Sequence, residues 1–336
     1  MSAERQIKLL LVGDFPPPHG GLSTHVEELL RAVRGQGGQC EVLDIGKGQL
    51  PAEGVVPAGG VGRFSAQLAA YAARGFRVHL HTSGANPKSW ALAQVCALTR
   101  APILTLHSGL APAWLEESPA RRAMARAVLE QYAAVVAVSE PIGHALASCG
   151  YRRALVLPAF LRGMVQPGAP PEGLAELRAQ AAPLFCAMVA PRPEYGEPVL
   201  LRAFASVLEQ RPSARLALYG SGSESQRAAG VRGFGELARP QALALMAACD
   251  VFVRPTLADG DSVSVREALA LGRRVVATEV GTRPREVRLV PPGDAAALAA
   301  AMLEDAAPAS SSDAPEVLER ILSLYQEAAC AASAAS

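Results

Sequence analysis

The chain has 336 residues, half of them hydrophobic and 19% charged, with a formal net charge of +1 at pH 7. That length predicts about two domains, each with a core of its own. The near-neutral balance and a 5% aromatic content argue against a nucleic-acid-binding surface, whether electrostatic or base-stacking.

Six cysteines are spread from Cys40 to Cys330 with no CxxC pair, so reduced thiols are expected rather than a disulfide frame or a zinc site. The apolar run KLLLVGDF is too short for a signal peptide, and no stretch approaches the ~18 apolar residues of a membrane span. A cytoplasmic protein is expected. Lysine occurs only at 8, 47 and 88, so beyond Lys88 an anion must be held by Arg, His, hydroxyls or backbone amides.

The elements alternate along the chain. IKLLLVGDF (7–15) reads as a fully buried strand and STHVEELLRAVRGQG (23–37) as an amphipathic helix capped by Ser23. CEVLDI is a strand, RFSAQLAAYAARG a helix and FRVHLHT a strand. The strand APILTLH ends at His107, the helix ARRAMARAVLEQYA follows, and the strand AVVAVS ends at Ser139. RALVLPAF closes this half as a last strand, and a Pro- and Gly-rich linker follows.

The pattern then restarts with PLFCAMVA, PVLLRAFASVLEQR, ARLALYG, VRGFG, RPQALALMAAC, DVFVRPT, SVREALALG, RRVVAT and DAAALAAAMLEDA. Repeated βα units predict doubly wound parallel sheets with right-handed crossovers. The expected division is 1–162, a linker at 163–183, a second Rossmann-like domain at 184–313, and a helix with a flexible tail at 314–336.

Loops at the carboxyl ends of such strands line the ligand crevice. After the first strand, Gly20 and Gly21 stand before a helix N-terminus. There they could admit a phosphate or serve only as a turn, and the GxGxxG dinucleotide fingerprint is absent. His107, Ser139 with Glu140, and Gly220 with Gly222 hold the same kind of position. Each also has a plain reading as core, cap or turn.

DGDSVSVREALALGRRVVATEVGTRP (259–284) says more. Asp259 and Glu267 flank a small-residue loop, eight positions apart, at the start of a helix. The first-turn amides near Ser262, Val263 and Ser264 lack intrahelical partners and suit a diphosphate. A carboxylate accepts hydrogen bonds from two adjacent hydroxyls, so Glu267 suits a ribose and Asp259 a sugar.

This stretch resembles the nucleotide-sugar loop of glycosyltransferase family 4, whose pattern is Glu-x7-Glu followed by an EA-A-G run. LMAACDVFVRPT and VPPGDAAALAAAM resemble its flanks, and PPPHGGLSTHVEELL, LTLHS and AVSEP resemble its N-terminal motifs. The resemblance implies a GT-B fold, two Rossmann-like domains facing a central cleft, and a retaining transferase. It implies a nucleotide-sugar donor held by Gly20, Gly21, Asp259, Ser262, Val263, Ser264 and Glu267, and Gly220 and Gly222, by their place after a strand, are expected beside its nucleotide.

It places His107 and Asp259 at the chemistry, with Ser139 and Glu140 expected on the acceptor side, and Arg192, out of register with the family's arginine, is expected to substitute for it at the phosphate. No metal or other cofactor is expected. The acceptor implied is a saccharide or lipid-linked saccharide in bacterial polysaccharide assembly, and Arg121, Arg122, Arg126, Arg152 and Arg153 form either a solvated basic face or a docking patch for anionic lipid. Three positions depart from the family. Asp stands for Glu at 259, LPAF (157–160) replaces IPNG, and of the family's phosphate-binding Arg and Lys the arginine position falls on Val189 or Ala190 and the lysine position on Tyr195. The last departure keeps a catalytically impaired nucleotide-sugar binder open, beside a nucleotide-sugar epimerase.

Overall fold

The computed structural model describes residues 7–17, 20–46, 52–161, 165–305 and 317–334. The chain forms two compact units: 1–161 with 315–336, and 162–314. Cys330 and the Lys47 position lie outside the residues whose side chains are described.

The first unit runs β1 (Lys8–Gly13), α1 (Gly21–Gly35), β2 (Gln39–Asp44), β3 (Val55–Pro57), α2 (Val61–Ala73), β4 (Arg77–Thr82), α3 (Pro87–Ala97) and β5 (Ile103–Leu106). It continues with α4 (Ala111–Glu116), α5 (Pro119–Leu129), β6 (Ala134–Ala137), α6 (Glu140–Ser148) and β7 (Leu155–Val156). Its sheet is parallel throughout, in the order β3-β2-β1-β4-β5-β6-β7. Leu9, Leu10, Leu11 and Val12 are fully buried, because helices cover both faces of the sheet and leave no polar side for alternation to mark.

The second unit holds α7 (Leu174–Gln180), β8 (Leu184–Met188), α8 (Glu197–Gln210), β9 (Arg215–Tyr219), β10 (Val231–Gly233) and α9 (Arg239–Ala248). Then come β11 (Val251–Arg254), α10 (Val263–Ala270), β12 (Arg274–Thr278), β13 (Arg288–Val290) and α11 (Ala295–Leu303). The parallel order is β10-β9-β8-β11-β12-β13. Side chains of β8 alternate between two cores. Leu184 and Cys186 join Phe252, Val265 and Leu269 on one face, while Phe185 and Ala187 join Phe204, Val253 and Met302 on the other.

Several expectations change. The first helix is capped at Gly20, not Ser23. Ser23 sits one turn inside and its Oγ accepts from Gly20 N at 2.9 Å. Helix α3 was missed, although Asn86 caps it, accepting from Ser89 N at 2.9 Å, with Pro87 in the first turn. The stretch RALVLPAF contributes only two strand residues. The linker region carries α7, whose Leu174 and Leu177 are buried in the second unit's core.

The last helix, α12 (Val317–Ala334), continues through residues expected to be a disordered tail. It packs on the first unit. Tyr325 is buried, with its hydroxyl 2.8 Å from His79 Nδ1 and its carbonyl accepting from Arg77 Nη1 at 2.6 Å.

Candidate functional site

In a doubly wound sheet the crevice opens where strand order reverses. In the second unit that point lies between β8 and β11. The two loops leaving it are tied together, since Leu257 N donates to Glu194 O at 2.8 Å. Gly196, at φ +68, packs so closely that a Cβ there would lie 2.0 Å from Pro255 O. A larger residue would push the loops apart. The loop that carries Arg192 and Tyr195 is thereby tied to the loop that carries Asp259. Arg192 is exposed, and its guanidinium has no partner among the described residues.

Asp259 is nearly buried and heavily bonded. Its Oδ2 accepts from Arg254 Nε at 3.1 Å, Arg283 Nη2 at 3.0 Å and Thr256 Oγ1 at 3.3 Å, while Oδ1 accepts from Gly260 N at 3.0 Å. Burial alone would raise its pKa. The two guanidiniums outweigh that and hold it below the usual carboxylate value. The Arg254 guanidinium also lies 4.9 Å over the Tyr195 ring. Oδ1 retains room for one further hydrogen bond, so Asp259 can offer a sugar one acceptor rather than a bidentate grip.

Helix α10 begins at Val263, with Ser262 as its N-cap in extended conformation and no acidic residue in the first turn. Ser262 Oγ and Ser264 Oγ lie 3.1 Å apart, leaving the first-turn amides to face the strand ends. Asp261 anchors the loop through both carboxylate oxygens to Arg266 Nε, at 2.7 and 2.9 Å, and bridges to Thr282.

Glu267 lies one turn further on, 6% exposed. Its Oε1 accepts from Arg239 Nε at 3.0 Å and lies 2.9 Å from Nη2. No hydrogen bond engages Oε2 among the described residues. Burial raises the Glu267 pKa and Arg239 only partly opposes it. The carboxylate is therefore pinned by one oxygen, and the other accepts no hydrogen bond among the described residues.

After β9, Gly220 stands at φ +106 with a Cβ position 2.1 Å from Val189 O, so its lack of a side chain is required by packing alone. Gly222 heads a short turn, exposed, with nothing near a Cβ. In the first unit neither Gly20 nor Gly21 has positive φ. A Cβ at Gly21 would meet no protein atom.

His107 follows β5, half-buried, with Nε2 3.1 Å from His81 Nδ1. Burial and the imidazoles of His25 and His79 hold its pKa well below the ordinary value. Ser139 caps α6 by position, yet its Oγ is buried with no partner among the described residues. Glu140 is exposed, 3.9 Å from His144. Among the described residues, no group of three or more His, Cys, Asp or Glu is placed to hold a metal ion.

Arg239, Arg254, Arg283 and His81 were missed in the sequence. Arg254 carried a signal: a guanidinium at the end of the apolar strand DVFVRPT must be buried against an acid. Arg239, 28 positions from Glu267, carried none.

Residues 183–305 match the family model described as Glycosyl transferases group 1. Among solved structures, Anabaena HepE in complex with UDP and glucose is similar at TM-score 0.67 and 18% identity, covering 97% of this chain and 100% of that one. Sucrose-phosphate synthase from Thermosynechococcus elongatus is similar at TM-score 0.64 and 18% identity, covering 97% and 94%. The E. coli trehalose-6-phosphate structure bound with UDP-2-fluoro glucose is similar at TM-score 0.61 and 14% identity, covering 98% and 96%.

The fold is GT-B. No curated protein matches the chain. No helix among the described residues is long and apolar enough to cross a membrane.

Proposed function

We propose that the chain is a retaining, metal-independent glycosyltransferase of family 4. The observation that carries this reading is Glu267, a buried carboxylate fixed on Oε1 by Arg239 with Oε2 unengaged, one turn inside the helix that begins at the β8/β11 switch point. Vicinal ribose hydroxyls satisfy that oxygen, and the amides of Val263 and Ser264 with the Ser262 and Ser264 hydroxyls take the diphosphate. Arg192, exposed and unpaired, supplies the cation for the leaving phosphate.

In the transfer, the C1–O bond to the phosphate breaks and C1 bonds to the acceptor oxygen on the same face. The acceptor's proton passes to the departing phosphate. Asp259 Oδ1 accepts from one sugar hydroxyl, Gly20 and Gly21 admit the phosphates closely, and His107 contributes an imidazole. Gly222 belongs to the donor side. The buried hydroxyl of Ser139 and the exposed Glu140 belong to the acceptor side.

The acceptor class proposed is a saccharide or lipid-linked saccharide of bacterial surface polysaccharide, met at the cytoplasmic face of the membrane. Arg121 and Arg126 of α5 pair with Glu117, before that helix, and Glu130, just after it. Contact with anionic lipid therefore falls to Arg122, Arg152 and Arg153. Calorimetric titration with UDP and GDP tests the donor site. Glu267→Ala should abolish binding of whichever diphosphate the wild type takes, and unchanged affinity would overturn the reading.

A second reading, a nucleotide-sugar binder without turnover, draws on Tyr195 and on Arg254 being held by Asp259 rather than offered to a phosphate. Binding without release of sugar from any nucleotide sugar would select it, and release of an isomerised nucleotide sugar would select an epimerase.

A further inference from the structure

Four of the chain's six histidines meet in the first unit. His81 is at their centre, with ring centroids 4.0 Å from His79, 5.4 Å from His25 and 5.4 Å from His107. It stands at the end of β4 beside β1, the switch point of the first sheet, with its Cβ 3.1 Å from the Cβ position of Gly13.

The hydrogen bonds constrain where each ring carries its hydrogen. His25 Nδ1 lies 2.8 Å from Ala159 O, a pure acceptor, so His25 is protonated on Nδ1. His79 is bounded by two hydroxyls at 2.8 Å, Tyr325 on Nδ1 and Thr105 on Nε2. The remaining pair is His81 Nδ1 and His107 Nε2, at 3.1 Å. Two neutral rings share one hydrogen across such a contact.

If His107 donated, His81 would carry its hydrogen on Nε2. That atom is buried and has no partner among the described residues, so the hydrogen would be an unsatisfied buried donor. If His81 donates from Nδ1, Nε2 holds only a lone pair. Buried orphan N–H groups are the rarer and costlier of the two.

We propose that His81 is a positioning residue that fixes the tautomer of His107, so that His107 presents Nδ1–H, a hydrogen-bond donor, at the carboxyl end of the first sheet. The consequence for chemistry rests on the transferase reading above. His107 in this tautomer donates to an oxygen of the transferred sugar or of the leaving group. It has no lone pair with which to deprotonate an acceptor, because Nε2 already accepts from His81.

The test uses full-length protein labelled with ¹⁵N-histidine, in which long-range ¹H–¹⁵N correlations separate protonated from bare ring nitrogens. His107 should be protonated on Nδ1 and bare on Nε2. His81→Asn, whose amide can still donate, should keep that pattern, and folded His81→Leu should convert His107 to Nε2–H or a mixture. A wild-type His107 protonated on Nε2 overturns the proposal, as does a His107 tautomer unchanged in His81→Leu. The wild-type spectrum decides alone if the leucine variant does not fold.

With UDP-glucose as the probe, kcat for sugar release should fall about tenfold in His81→Leu, the scale of one lost hydrogen bond, and largely recover in His81→Asn with KM unmoved. Equal losses in both variants would mark a merely structural role and overturn the proposal. Failure of UDP and GDP to bind the wild type would instead defeat the transferase reading and leave the tautomer result standing.

Discussion

Replacing Asp259 by Asn tests whether its carboxylate is first a structural counter-ion. The side chain balances Arg254 and Arg283, whose side chains are 8% and 3% exposed. An amide cannot neutralise them, and its NH2 would face a guanidinium. Removing one partner from a buried ion pair costs about 3–5 kcal/mol. For a unit of this size each kcal/mol moves Tm by about 2–4 °C, so the expected loss is roughly 6–20 °C.

Differential scanning calorimetry reads it. Both tryptophans, Trp90 and Trp114, belong to the first unit, so their fluorescence gives a reference transition that should move far less. Asp259→Ala combined with Arg254→Met removes one charge on each side and should recover part of the loss, Arg283 being left without Asp259. A shift below about 2 °C in Asp259→Asn, against the cost expected for a broken buried pair, would refute the reasoning. So would a double variant no more stable than the single one.

Four other outcomes are expected. Glu267 has a raised pKa that hydroxyl donors would lower, so uridine affinity should weaken on acidification starting above the ordinary carboxylate range; Glu267→Gln should show no such onset. Arg239→Met should leave Glu267 buried without its cation and weaken UDP binding about tenfold or more, measured by calorimetry. Arg192→Ala should lower kcat while leaving Tm within about 1 °C, because an exposed, unpaired side chain holds little of the fold. Burial pushes the His25 pKa down from 6.5 to about 4, so it contributes stability above pH 6.5 that is lost as pH falls toward 4, roughly 3 kcal/mol in all. Acid titration of the tryptophan-reported transition should show this loss, and His25→Asn should reduce it, the depressed imidazoles of His79, His81 and His107 accounting for what remains.

The sheets were legible because both faces of each strand are covered, so runs such as LLLV and LFCAM carry no polar interruptions. The Asp259–Glu267 spacing was legible because both acids belong to one loop-helix segment, where chain geometry alone sets their distance. Their partners were not. Arg283 reaches Asp259 from 24 positions away and Ala159 reaches His25 from 134, contacts that exist only once the strands are ordered. The misplaced cap at Ser23 has a local cause: Gly20 takes the extended conformation of an N-cap without the side chain that normally announces one. The histidine cluster was half visible. His79 and His81 are two apart on one strand and so share a face, but nothing in the sequence brought His25 to them.

The return of α12 to the first unit makes the second unit an insertion within it. During synthesis the ribosome must release the whole of 162–314 before Tyr325 emerges to close over His79. The inserted unit, contiguous in the chain, can mature first, while its host waits with an imidazole uncovered. A genetic dissection that respects this order would excise 162–314 as one fragment rather than halve the gene.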